Sequence, residues 1–133
     1  MRLLRPTDFS RVYDTRQSAS AGPLVLYAAS NRTSPDGVRV GLSVSRRIGS
    51  AVVRNRWKRR LREAFRQVRS RLPAGNDFVI VVRSGEPPVG EAGARDVEAM
   101  IAALATRVVG RRGYADAVPR PRDDAAVKPK RRR

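Results

Sequence analysis

The sequence predicts a mixed fold of helices and strands, a single domain built around a small β-sheet. Three observations lead there. Residues 77–83, DFVIVVR, are an almost unbroken apolar run, the pattern of a central strand buried on both faces. Residues 24–30 and 38–45 read as strands, and the second alternates apolar with small or polar side chains. Residues 51–72 and 94–109 instead repeat their apolar residues at helical spacing. A chain of 133 residues without an internal repeat suits one modest core.

The elements are justified in order. Thr7, behind Pro6, is placed to cap a short first helix whose Phe9, Val12 and Tyr13 share a face. Val12 is assigned to the core. Phe9 and Tyr13 have two uses open to them, packing on the core or stacking on unpaired bases. Residues 16–22 are small and polar, a loop with at most a short edge strand. Residues 24–30 and 38–45 flank a Pro35-Asp36-Gly37 turn and are read together as an antiparallel hairpin. On the second strand Val38, Val40, Leu42 and Val44 face one way and Arg39, Gly41, Ser43 and Ser45 the other. That small-residue face suits either the close approach of a phosphate or the cover of a helix. Residues 46–50 are a tight basic connection in which Ser50 is the expected N-cap of the long helix. The helix must stop before Pro73. The buried strand at 77–83 then forms a parallel pair with 38–45 across the helix, and the general rule makes such a crossover right-handed. After a loop at 84–93, the helix at 94–109 turns Val97, Met100, Ile101, Leu104, Ala105 and Val108 inward and ends at Gly110. Residues 1–114 are taken as the domain and 115–133 as a disordered basic tail that adds non-specific attraction for phosphate.

The long helix carries the strongest functional signal. At about 100° per residue, Val53, Trp57, Leu61, Ala64, Phe65, Val68 and Leu72 fall in one sector. Beside them stand Arg54, Asn55, Lys58, Arg59, Arg62, Arg66 and Arg69, and Glu63 is the helix's sole acid. Like charges at i, i+4 destabilise a helix by about 0.2–0.5 kcal/mol per pair, so such a face makes sense against a polyanion. The whole chain agrees, with 29 Lys and Arg against 12 Asp and Glu and a net charge of +17. Nucleic acid is the first partner that balance suggests, an anionic membrane the second. No stretch is apolar enough to span a bilayer, and the N-terminus turns polar too soon for a signal peptide. There is no Cys and no His, which removes disulfides, thiolate chemistry and the commonest general base and metal ligand. The acids are scattered and no Gly-rich phosphate loop with its Lys is present. The expectation is a cytoplasmic protein with no catalytic or metal-binding residues of its own and no small-molecule cofactor, whose partner supplies any reactive groups.

Residues 40–65, VGLSVSRRIGSAVVRNRWKRRLREAF, resemble the signature of the bacterial ribonuclease P protein component, in which an Arg-Asn-Arg motif opens a basic helix after a Gly-Leu-Ser-Val-Ser strand. Asp8-Phe9-x-x-Val12-Tyr13, Leu24-Val-Leu-Tyr27 and Asp77-Phe-Val-Ile-Val are similar to that family at matching spacing, so the likeness covers residues 3–110. It implies an α+β fold, an αβββαβα two-layer sandwich of the type seen in the second domain of a small-subunit ribosomal protein. It also implies a left-handed crossover around the Arg-rich helix, against the general rule. The implied activity is removal of the 5′ leader of precursor tRNA, with Mg²⁺ and the cleavage chemistry held by a catalytic RNA subunit. Phe9, Tyr13, Tyr27, Ser43 and Ser45 would line a leader cleft between the sheet and the Arg-Asn-Arg helix. Arg54, Asn55, Lys58, Arg59, Arg62 and Arg66 would face RNA, and Arg46 and Arg47 would contact the RNA subunit or phosphates. Two positions depart from the family: Arg16 stands where a Gly is usual, and Leu24 where an aromatic usually starts the strand. The rival expectations are a general RNA chaperone, a helix-turn-helix DNA binder and an autonomous metal nuclease.

Overall fold

In a computed structural model that describes residues 2–3, 6–31 and 33–117, the elements run β1 (Arg2–Leu3), α1 (Pro6–Asp14), β2 (Ser18–Ala21), β3 (Leu24–Ser30), β4 (Val38–Val44), α2 (Ala51–Val68), β5 (Asn76–Val82) and α3 (Gly90–Val109). The α+β class and the αβββαβα order hold, with a two-residue strand added in front. The first helix begins at Pro6, so Thr7 lies inside it instead of capping it. Proline is at home in a first turn, where its missing N–H is not needed.

The strands form one sheet in the order β1-β4-β5-β3-β2. β5 is the apolar strand, and it takes the centre. β4 lies parallel to it from Val38↔Asn76 to Val44↔Val82, and β3 antiparallel from Leu24↔Val82 to Ser30↔Asn76. The expected hairpin of residues 24–30 with 38–45 is therefore wrong, because β5 is inserted between them. Adjacency along the chain had stood in for pairing, whereas a strand buried on both faces needs neighbours on both edges. The hairpin partner of β3 is β2, joined through Gly22 (φ +53°) and Pro23. Its sequence, SASA, carries almost no strand propensity, which is why it resembles a loop.

Strand alternation gives the sheet two unlike faces. On one side Leu24, Leu26, Val40, Phe78 and Ile80 meet Trp57, Leu61, Phe65 and Val68 of α2 and Val97, Ile101, Leu104 and Val108 of α3. The whole predicted apolar sector of α2 belongs to this core. On the other side α1 packs Val12 against Ala29 and Val79, with Phe9, Tyr13, Tyr27 and Val81 around them. Ser50 caps α2 as expected, accepting the Val53 N–H at 3.3 Å. The helix tightens to a 3-10 turn at Arg69–Arg71 before Pro73. Beyond α3, Tyr114 is buried and its hydroxyl donates to Asn76 Oδ1 at 2.7 Å. Residues 115–117 continue in hydrogen-bonded turns, and the rest of the predicted tail lies outside the described residues.

Candidate nucleic-acid interface

Helix α2 presents what its apolar sector leaves over. Asn55, Lys58, Arg59, Arg62 and Arg66, with Glu63, line one open groove of about 580 Å³. Arg56, Arg59 and Arg60 line a smaller one, about 170 Å³, against Pro87, Pro88 and the exposed Val89. Between described residues no cation of α2 enters an ion pair; the salt bridges seen there are made by Arg11, Arg39 and Arg95. Glu63 is the one acid lining both grooves, so the positive field is only weakly offset, and it is held rigidly because Trp57 and Leu61 on the reverse of the same turns are fully buried. Arg54 stands apart from the groove and folds back, its Nε donating to Gly49 O at 3.3 Å. Arg46 and Arg47 are exposed on a 3-10 turn, Arg46–Ile48, between β4 and α2.

The opposite face of the sheet is read from its register. Three rows of side chains cross it: Ala29, Asp77 and Arg39; then Tyr27, Val79 and Gly41; then Val25, Val81 and Ser43. Helix α1 lies over the first two. A Cβ on Gly41 would come within 2.4 Å of Phe9 Cζ, so glycine is what lets the Phe9 ring rest on the sheet. The third row is only half-buried and continues into the exposed Ser20 of β2. This open strip is walled by Tyr13 and Tyr27, whose rings meet edge-to-face with centroids 4.8 Å apart. Phe9 adds a second edge-to-face contact to Tyr13 at 6.4 Å. Burial raises the Tyr13 pKa, a hydrogen bond with the Ser43 side chain opposes the rise, and Tyr27 reinforces it, so the hydroxyl stays protonated near neutral pH.

Under α1 sits a buried carboxylate. Asp77 accepts Arg39 Nε at 2.9 Å and Arg39 Nη2 at 2.7 Å, accepts Asn31 Nδ2 at 3.2 Å, and pairs with Arg11 Nη2. The Arg39 pKa is raised, chiefly by its hydrogen bond to Asp77. Arg39 also lies 3.6 Å from Asp8, one turn of α1 away from Arg11. Sequence reasoning took Asp77 as the start of an apolar strand and saw no pairing for it. The only available signal was its place in the alternation with Val79 and Val81, which puts all three on the α1 face.

The predicted residues thus divide into two groups. Phe9, Tyr13, Tyr27 and Ser43 come together on the α1 face, with Ser45 exposed just past the end of β4. The α2 residues lie behind the opposite face. The expected position of the aromatic set, between the sheet and the Arg-Asn-Arg helix, is therefore corrected: the apolar side of α2 fills that space. The two groups meet only along the chain, where Ser45 leads through Arg46 and Arg47 into α2. Val25, Val81 and Ser20 form the floor of the strip and were not foreseen. Both departures have a structural account. Arg16 adopts φ +57°, the left-handed conformation that favours Gly. Leu24 is fully buried in the α2–α3 core, so an aromatic there would not face the strip. Among the described residues no three acidic side chains gather to hold a metal ion. The oxygens of Asp77 are taken by guanidinium and amide groups, so the donors present do not fit a resident Mg²⁺.

A family model described as Ribonuclease P matches residues 1–109. The ribonuclease P protein component of Clostridium acetobutylicum is 42% identical over 83 residues, covering 62% of this chain and 70% of that one. That of Chloroflexus aggregans is 45% identical over 85 residues, 64% of this chain and 62% of the relative, so the aligned segment spans about two thirds of these relatives. Among solved structures, the RNase P protein from Thermotoga maritima superposes with a TM-score of 0.63 at 26% identity, covering 83% of this chain and 99% of that one.

Proposed function

Since the chain belongs to the ribonuclease P protein family, and is thereby a subunit of that tRNA-processing endoribonuclease, we propose that it binds the catalytic RNA and holds the 5′ leader of precursor tRNA during Mg²⁺-dependent cleavage. The observation that carries this reading is the pairing of a strongly cationic groove on α2 with an aromatic-walled strip on the α1 face.

The strip suits a single strand. Its walls offer π surfaces on which bases of any identity stack, each worth about 1–3 kcal/mol. Its floor of Val25, Val81 and Ser20 carries no charge, and the Ser43 and Ser45 hydroxyls can donate to phosphate oxygens. No base-edge reader is required, which is what a processor of many different tRNA precursors needs. The α2 groove, with Arg46 and Arg47, supplies charge for phosphates of the structured RNA, released counterions giving affinity that falls with salt. Mg²⁺ in this proposal is bound by the RNA and the substrate. The protein promotes that binding indirectly, by fixing the phosphates that serve as ligands. In this proposal the work takes place in the cytoplasm, where precursor tRNA would be met.

The test is Mg²⁺-dependent cleavage of precursor tRNA at low salt by the catalytic RNA alone and with this chain added. Stimulation that depends on the leader is expected. Tight RNA binding without stimulation would make the chain a general RNA chaperone, and cleavage by the chain alone would make it a nuclease in its own right; either result would refute the reading.

A further inference from the structure

We propose that Arg11 and Asp77 are positioning residues, a clamp that sets the rotation of α1 over the sheet and thereby holds Tyr13 at the edge of the open strip. The inference rests on the leader-binding reading of that strip and assigns it a support that neither the motif nor the family likeness identifies.

Four observations combine. The Asp77 side chain is 1% exposed, and burying a charge is costly unless it is well paired, so an apolar residue would serve packing alone at least as well. Its partners come from three elements: Arg11 on α1, Arg39 on β4 and Asn31 just past β3. Helix α1 is gripped twice within one turn, through Arg11 to Asp77 and through Asp8 to Arg39. Beside the two grips, α1 also packs Val12 on Ala29 and Val79 and seats Phe9 on Gly41, burial that holds the helix down on the sheet. Two charged contacts at i and i+3 add direction to that packing and so set the rotation of the helix. Rotation is what matters here. Tyr13 lies two residues beyond Arg11, and a turn of the helix about its axis would carry its ring away from Tyr27 and its hydroxyl away from Ser43.

The experiment uses the full chain with catalytic RNA and precursor tRNAs carrying either a long leader or none. Arg11→Ala leaves Asp77 its two-pronged contact with Arg39, so the fold should persist, and the single Trp57, buried in the opposite core, reports this by fluorescence. Expected is a loss of affinity of roughly fivefold to tenfold for the long-leader substrate, about one stacked base, with none for the leaderless one. NMR contacts between the Tyr13 and Tyr27 rings should weaken together with it. Arg11→Lys should restore both in part, and Asp77→Asn should reproduce the defect. The slope of affinity against salt should stay as in the parent. A slope flattened by about 0.7 would make Arg11 a direct phosphate contact and overturn the clamp. Unchanged ring contacts in Arg11→Ala would overturn it as well. Tyr13→Ala and Tyr27→Ala separate the two ideas: if both keep full leader affinity the leader cleft is wrong, while the ring contacts in Arg11→Ala still decide the clamp.

Discussion

Gly41→Ala should change sign with its background. Gly41 lies inside β4 and its φ is not positive, so its backbone tolerates alanine. An added Cβ would meet Phe9 Cζ at 2.4 Å, Cε1 at 2.6 Å and Cε2 at 3.1 Å, the three nearest atoms all on one ring. Overpacking of that kind costs about 1–3 kcal/mol, offset by about 0.5–1 kcal/mol from restricting a strand glycine in the unfolded chain. The net expectation is a loss of up to about 2.5 kcal/mol, with the Phe9 ring forced outward. With Phe9→Ala already in place, the clash is gone and only the chain-entropy gain is left, so the same substitution should then stabilise by up to about 1 kcal/mol. Urea unfolding followed by Trp57 fluorescence measures all four corners of the cycle, because that indole sits across the sheet from the mutations. Equal effects of Gly41→Ala in both backgrounds would show that Phe9 does not rest on the sheet, and the packing account of α1 would fail.

Three further outcomes are expected. Arg59→Ala and Arg62→Ala should weaken binding of precursor tRNA in the reconstituted complex and lower its salt dependence with the fold intact; full affinity with an unchanged slope would remove the α2 groove from the interface. Trp57→Ala should cost about 3–5 kcal/mol by urea unfolding monitored with circular dichroism, because the side chain is fully buried, and a stable variant with lost RNA binding would mean the indole is a contact and not core. Trp57→Phe should lose less, mainly the bond from Nε1 to Gly85 O at 3.0 Å. Alkali should unfold the protein partly through Tyr114, whose pKa is raised above its ordinary 10.0, mainly by burial and then by the charge of Asp77. Above pH 10 the unfolded chain loses this proton while the folded one keeps it, so stability falls with pH there, and Tyr114→Phe should make the decline shallower.

The sequence was most legible where one residue pattern has one physical use. The helical sector of α2 is such a case: its apolar residues can only be buried together, which leaves the arginines outside whatever lies beneath. Strand β5 is another, since its unbroken apolar run, Phe78 to Val82, has no stable place except the middle of a sheet. The Ser50 cap and the stop at Pro73 are local chemistry and came through as expected. Pairing was not legible in the same way. Nothing within residues 24–45 shows that β5, more than thirty positions beyond β4, will enter between its two strands.

What the sequence determined by itself is a basic amphipathic helix, a buried strand and a set of aromatics, because periodicity and composition act within a few residues of one another. Only the tertiary structure decided that α1 and α2 lie on opposite faces of the sheet, that Gly41 is a seat for Phe9, and that an acid at the head of an apolar strand ties α1 down. Those facts depend on which strand neighbours which. Strand order is settled by the competition of all apolar faces for cover at once, and no single segment carries that information.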